Sequence, residues 1–304
     1  MVDYRKITNN FLTYYIENDY NNLSLILSEN LTTNYSNLPN VNDKKSLLHG
    51  LKWEYSYDVK RVTTTNFMHY IDGKYAFVGL IAHHLVSFEK NNEMFPLTFG
   101  GKYVFKINCE TAMIEDISFV LEYQAENTIY IKDKWVLSNG QNNYSSFCNF
   151  DSNKIYSESI KKCDFKTLTN LFFWCLDTQN LTLLDNLCSD SFFISRDKSV
   201  GSDNFTADKN NIEQFIHDTN KYYALNQNSI KINNIQYDSI ITINAQRLTP
   251  HRLGTKKLNS LTKYHSFFDE DIVITINPST LKFESIVMKK VADVFYNGIT
   301  LLEY

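Results

Sequence analysis

His83 and His84 stand side by side in an apolar run between Lys74 and Phe88. An imidazole that titrates near neutrality can take up a proton and hand it back, so either residue is a candidate general acid or base. Neighbours in a strand face opposite ways. Tyr75, Phe77, Gly79, Ile81, His83 and Leu85 therefore share one face, and Ala76, Val78, Leu80, Ala82, His84 and Val86 the other. Both faces are apolar, so the strand is expected to be covered on both sides, and the two histidines cannot serve one pocket. The plainer role for each is a hydrogen-bonded histidine at a seam between domains. His69 and His265 are weaker candidates of the same kind, against a solvated strand-end histidine. Tyr103 could hold a neutral phenol in apolar surroundings and donate a hydrogen bond to a carbonyl. Asp19 and Asp177 lie beside polar corners, where a carboxylate can act as an acid or simply cap a helix. Tyr15, Trp53, Phe77, Phe99 and Phe105 could line a site for a flat apolar ligand. In a chain that is 14% aromatic, core packing is the competing explanation.

Other chemistries lack their residues. No glycine-rich phosphate cradle, G-x-S-x-G elbow or H-E-x-x-H pair occurs. The His83–His84 pair splays across a strand, which argues against a shared metal, so neither metal nor cofactor is expected. The five cysteines include no C-x-x-C and read as buried thiols in a reducing compartment. The net charge is −4, and the basic residues fall in isolated doublets such as Lys60-Arg61 and Lys256-Lys257. A nucleic-acid partner would need a basic face, so none is expected. No apolar leader stands at the beginning and no run is long enough to span a bilayer, so a cytoplasmic protein off the membrane is expected.

The elements that must carry these residues occur twice. Residues 99–117 lie ungapped over residues 268–286, with Phe, Val, Ile-Asn, Thr, Glu and Ile recurring at one offset. Each copy reads as a strand, an Asn-containing turn and a second strand. Upstream, residues 11–19 and 172–177 read as helices. Each is followed by a polar corner and a short second helix (23–29; 184–190), then a third helical stretch (43–55; 207–223). Long strands follow at 59–69, 74–88, 102–108 and 113–123, and again at 229–237, 240–248, 261–268, 272–277 and 282–291. This order predicts an α+β fold with helices on one face of a curved antiparallel sheet. The expected domains are residues 1–135 and 165–304, joined by a linker over 136–164 that holds the Asn- and Ser-rich stretch 138–146. Two fused copies would form a built-in pseudo-dimer.

The unit Ile71-Asp72-Gly73-Lys74-Tyr75-Ala76 and the later Gly101-Lys102-Tyr103-Val104-Phe105 resemble the "D-G-x-x-A" hairpin and "G-x-Y" strand of SnoaL-like domains, a branch of the NTF2-like superfamily. The resemblance covers about residues 5–123 and, more weakly, 165–292. It implies tandem cone-shaped domains, each with three helices and a curved sheet wrapping a pocket. Family members include cyclases, dehydratases, isomerases, small-ligand binders and non-catalytic interaction domains, so the fold alone does not fix the function. The family's enzymes often set an Asp on the first helix and a His on an early strand. Asp177 matches the first; copy one has Ile16 there, with Asp19 three residues on. The early strands carry Thr63-Thr64-Thr65 and Lys231-Ile232-Asn233 instead of a His, and Glu270-Asp271-Ile272 replaces the second "G-x-Y". The resemblance implies a protein that binds a small apolar or cyclic molecule. Catalysis would be cofactor-free isomerisation, dehydration or cyclisation, with His83 or Asp19 moving the proton and Tyr103 polarising the carbonyl. The alternative is a non-catalytic ligand binder or a scaffold with degenerate pockets.

Overall fold

Among the described residues of the computed structural model, two sheets of six strands each organise the chain. The structure describes residues 2–35, 40–54, 59–90, 93–126, 136–137, 150–178, 180–197, 205–214, 229–250 and 265–296, with some side chains within those spans excepted. Contacts divide the chain into two units after Asp151.

In the first unit, α1 (Tyr4–Glu17) begins where the Asp3 carboxylate accepts from the Lys6 amide and ends at Asn18, whose φ is 59°. Asn tolerates that left-handed geometry, which turns the chain sharply. Thr8, Phe11, Leu12 and Tyr15 form the buried stripe of the helix, at the spacing that puts them on one face. The short helix α2 (Tyr20–Ile26) is capped by Asp19 and runs straight into β1 (Leu27–Tyr35). Helix α3 (Lys44–Glu54) follows. Then come β2 (Val59–Asp72), β3 (Tyr75–Lys90), β4 (Glu93–Asn108) and β5 (Ile114–Glu126). Gly73, with φ 58°, makes the tight β2–β3 turn that a side chain would strain. The order is β1-β5-β4-β3-β2, and a two-residue strand, β6 (Val136–Leu137), adds to β5. All pairs are antiparallel except β1 with β5. The core joins α1 to the helix-facing side of the sheet through Phe11, Tyr15, Val78, Tyr103, Phe105 and Phe119, among others. Each buried aromatic or aliphatic side chain of this kind contributes roughly 1.5–3 kcal/mol.

The second unit opens with α4 (Ser152–Lys162), which lies inside the stretch read as a linker. It continues with α5 (Phe165–Thr178), α6 (Leu181–Leu187), β7 (Cys188–Asp197) and β8 (Phe205–Asp208). Strands β9 (Ser229–Tyr237), β10 (Ile241–Pro250), β11 (His265–Ile276) and β12 (Phe283–Tyr296) complete it in the order β8-β7-β12-β11-β10-β9. On the other side of the boundary, Phe150 packs 5.5 Å from Tyr70, and the Asp151 amide donates to the Tyr70 hydroxyl at 3.1 Å.

The two units repeat each other down to single hydrogen bonds. Asn108 Oδ1 accepts from the Glu110 and Thr111 amides, and Asn277 Oδ1 from those of Ser279 and Thr280. Ala112 and Leu281 both have φ 57°. Thr8 and Thr169 each bond back to the carbonyl four residues earlier in their helices. The β4–β5 ladder slips at Gly100/Gly101 and at Lys106/Ile107; the β11–β12 ladder slips at Asp269/Glu270 and Thr275/Ile276, the same places. Such bulges bend a strand and raise its twist, so both sheets carry the same two bends.

Four local readings change. The short helix read at 184–190 stops at Leu187, and Cys188–Asp190 begin β7. The helical pattern at 23–29 stops at Ile26, because Leu27, Leu31, Thr33 and Tyr35 alternate inward and Thr32–Tyr35 pair in parallel with β5. Of the stretch 207–223, Ala207 and Asp208 end strand β8 and Asp208 caps a 3-10 turn, Lys209–Asn211, after which residues 212–214 are helical as expected. Residues 272–277 are not a separate strand, since β11 runs unbroken through Phe268 to Ile276. Residues 138–146 lie outside the described residues, as do 215–223 and 261–264.

Candidate functional site

The helix-facing side of the first sheet holds a polar contact among aromatic rings. Tyr103 Oη and His84 Nε2 lie 3.4 Å apart, on adjacent strands β4 and β3. Both are buried, with 5% and 1% of their surfaces exposed. At that distance the contact is at the long end of hydrogen bonding, and with Nε2 unprotonated the phenol is the donor. The imidazole is enclosed by Tyr15 of α1 (centroids 5.7 Å), Phe119 of β5 (6.3 Å) and Tyr103 itself (6.0 Å). Phe105 stacks on Tyr103 at 5.5 Å, Phe11 meets Phe105 edge-on, and Tyr35 of β1 stands 6.4 Å from Tyr103.

Gly101 sets the closeness of this packing. A Cβ there would lie 2.3 Å from the Val120 carbonyl oxygen and 2.6 Å from the Phe119 ring. Only a residue without a side chain lets the Val120 carbonyl and the Phe119 ring, itself 4.5 Å from Tyr103, approach β4 this closely. The glycine of the "G-x-Y" strand therefore has a steric reason.

Of the residues singled out in the sequence, the structure gathers Tyr15, Tyr103 and Phe105 here, together with His84. His83 pairs by backbone with Thr63 and Gly100, and its side chain lies outside the described residues. The same holds for the side chains of Trp53 on α3, Phe99 on β4 and His265 on β11. Phe77 stacks on Tyr70 at 5.1 Å, away from this cluster. His69 is exposed beside Tyr4 and Phe67. Asp19 caps α2, accepting from the Asn22 amide at 3.0 Å, and that bond holds its carboxyl below the usual range. Tyr35 and Phe119 were not anticipated. The alternation Leu31, Thr33, Tyr35 was the available signal for the first of them.

The second unit has other chemistry at the equivalent rungs. Arg247 of β10 pairs across the ladder with Glu270 of β11, as Ala82 pairs with Gly101 in the first unit. Their side chains form a buried ion pair at 2.7 Å, and Arg247 also reaches Met288 Sδ at 3.0 Å. The guanidinium lies 6.0 Å from the centre of the Phe173 ring on α5, and Asp177 is buried one turn further along that helix. Ile272 and Thr249 stand where Tyr103 and His84 stand in the first unit. The tyrosine–histidine contact is present in one copy only.

Two surface crevices are also duplicated. One of about 580 Å³ is lined by Ser24, Glu29, Lys44 and His49; another of about 450 Å³ is lined by Asp185, Cys188, Lys209 and Glu213. In each, a lysine ties the start of the third helical segment to acids nearby: Lys44 to Glu29 at 2.6 Å, and Lys209 to Asp185 at 3.0 Å. Neither crevice touches the Tyr103–His84 contact. Burial pushes the Cys188 thiol up to about 12 and raises Cys175 as well, while Cys163, read as buried, is exposed at the corner before α5. Among the described residues, no group of three His, Cys, Asp or Glu side chains could hold a metal, and no helix is long and apolar enough to cross a membrane.

No family model matches the sequence, and no curated protein matches it. Solved structures do. A protein from Kribbella flavida has a TM-score of 0.36 and 10% identity, covering 40% of this chain and 89% of its own. A candidate SnoaL-like polyketide cyclase from Shewanella denitrificans has a TM-score of 0.34 and 11% identity, covering 39% and 89%. A candidate polyketide cyclase from Pseudomonas putida has a TM-score of 0.33 and 13% identity, covering 40% and 92%. Each spans about two fifths of this chain. The chain itself carries two sheets, their helices and the repeated bulges, an α+β domain laid down twice in tandem.

Proposed function

We propose that the first unit binds a small, flat, largely apolar molecule bearing a carbonyl group, and that Tyr103 and His84 move a proton on it without a cofactor. The observation that carries this reading is the buried Tyr103–His84 contact of 3.4 Å within a ring of aromatic side chains. A contact that long can yield to a substrate oxygen. The phenol then donates to the carbonyl, and Nε2 is freed to accept a proton from the carbon beside it. The C–H electron pair moves into an enolate whose oxygen the phenol stabilises. Returning the proton to a different carbon completes an isomerisation; loss of a β-hydroxyl as water completes a dehydration. Attack of the enolate carbon on a second carbonyl closes a ring.

The second unit is read as a non-catalytic partner copy. The Arg247–Glu270 ion pair occupies the rungs that Ala82 and Gly101 leave slim in the first unit, which favours a filled interior there.

The test is exchange of the C2 protons of 1-tetralone in D2O, followed by NMR. The protein should accelerate exchange, and Tyr103→Phe or His84→Gln should each reduce the acceleration at least tenfold. Binding of 1-tetralone with no acceleration would leave a ligand-binding module and remove the catalytic roles.

A further inference from the structure

Thr33 supplies an observation that the proposed chemistry does not use. Its hydroxyl is buried and has no hydrogen-bond partner, although Thr33 as a whole keeps only 8% of its surface exposed. Its amide is satisfied, donating to the Asn42 carbonyl at 3.2 Å, so the unmet group is the side chain alone. Along β1, Leu31, Thr33 and Tyr35 are the buried positions of an alternating strand. Thr33 is matched with Ile117 and Tyr35 with Phe119 on β5; these lead across to Phe105 and Tyr103 on β4. The hydroxyl thus belongs to the same helix-facing surface as the tyrosine–histidine contact, one rung along and two strands away. With strands about 4.8 Å apart and two residues per rung, that places its backbone roughly 11–12 Å from that of Tyr103.

A buried hydroxyl without a partner is a standing cost that a valine of nearly the same shape would remove. A threonine kept on a helix-facing surface is accounted for if something else completes its hydrogen bond. Resting on the reading above, we infer that Thr33 is a specificity residue: the bound molecule carries two oxygen functions at opposite ends, a carbonyl at Tyr103 and His84 and a hydroxyl or second carbonyl at Thr33. The class is a hydroxylated or diketone-type bicyclic compound, in preference to a ketone with a single oxygen.

The experiment compares 1-tetralone with 6-hydroxy-1-tetralone, whose second oxygen lies across the ring system, by calorimetric titration of the full chain. The wild-type protein should bind the hydroxylated compound about tenfold more tightly than the parent. In Thr33→Val that preference should collapse to within twofold, while the melting temperature of the ligand-free protein rises by a few degrees; Thr33→Ser should restore the preference. A preference that persists in Thr33→Val, or is absent from the wild type although 1-tetralone binds, overturns the assignment. A lower melting temperature in Thr33→Val also overturns it, because the hydroxyl then has a partner within the protein. Binding of neither compound removes the underlying pocket reading itself, and Thr33's role goes with it.

Discussion

Replacing Gly101 by alanine should damage the first unit, although the change adds one methyl group. The new Cβ would sit 2.3 Å from the Val120 carbonyl oxygen and 2.6 Å from Phe119. Ordinary contacts fall at about 3.5 Å, so the oxygen would have to retreat by about 1 Å. It belongs to β5, which is paired with β4 on one side and β1 on the other, and it cannot move without its neighbours. Overpacking costs about 1–3 kcal/mol, and a backbone oxygen with a ring edge belongs at the upper end. Losing a strand glycine returns about 0.5–1 kcal/mol. The net is about 2 kcal/mol, or a fall in melting temperature of roughly 4–8 °C for a unit of this size. Gly50→Ala is the matched control. Its Cβ, inside helix α3, would meet only the Val41 Cγ2 methyl at 3.3 Å, which has to give by a few tenths of an ångström. Alanine there gains up to about 1 kcal/mol of helix propensity, so the melting temperature should rise slightly. Differential scanning calorimetry at one scan rate reads both. A Gly101→Ala protein melting within 1 °C of the wild type would refute the steric account of the "G-x-Y" glycine.

Removing one partner of the buried pair, as in Glu270→Ala, should cost about 3–5 kcal/mol in urea unfolding, because Arg247 is left charged in the interior. The double change Arg247→Met with Glu270→Leu should recover most of that loss; failure to recover it would mean the arginine serves a further role. Asp116, half-buried, has its carboxyl raised above the ordinary range chiefly by desolvation. The folded state therefore holds that proton to higher pH than the unfolded state, and stability falls as pH rises from the unfolded to the folded value. Asp116→Asn should be more stable than the wild type at neutral pH and equal to it in acid. Glu284 is the opposite case: hydrogen bonds from Ser189, then Ser191 and Asn277, hold its carboxyl low. Its contribution is present above the unfolded value and fades as pH falls through the folded one, so Glu284→Gln should flatten the acid limb of a stability–pH curve.

The repeated hairpin was legible because its determinants are local. Asn108 and Asn277 close their own turns, and the flanking residues alternate in the sequence itself. That His84 shares a buried strand face with Val78, Leu80 and Ala82 was legible for the same reason. The helix-covered face at His84 was not, since it depends on where the stripe of α1 lands and on Tyr15 meeting the imidazole. Strand β1 was hidden because its ladder partner is β5, more than eighty residues on, and polar Ser28, Glu29 and Asn30 interrupt its pattern. Charged residues are ordinarily read as surface, so Arg247 and Glu270 gave no hint of their burial. Only the register of β10 against β11 brings them face to face.

The doubled hairpin also creates a hazard during synthesis. A chain that makes the same strand, turn and strand twice offers each nascent strand two mates with matching bulges. Opposite charges at corresponding positions, Lys102 in one copy and Asp271 in the other, make the two ladders chemically distinguishable while their geometry is not. Divergence between the halves then guards assembly.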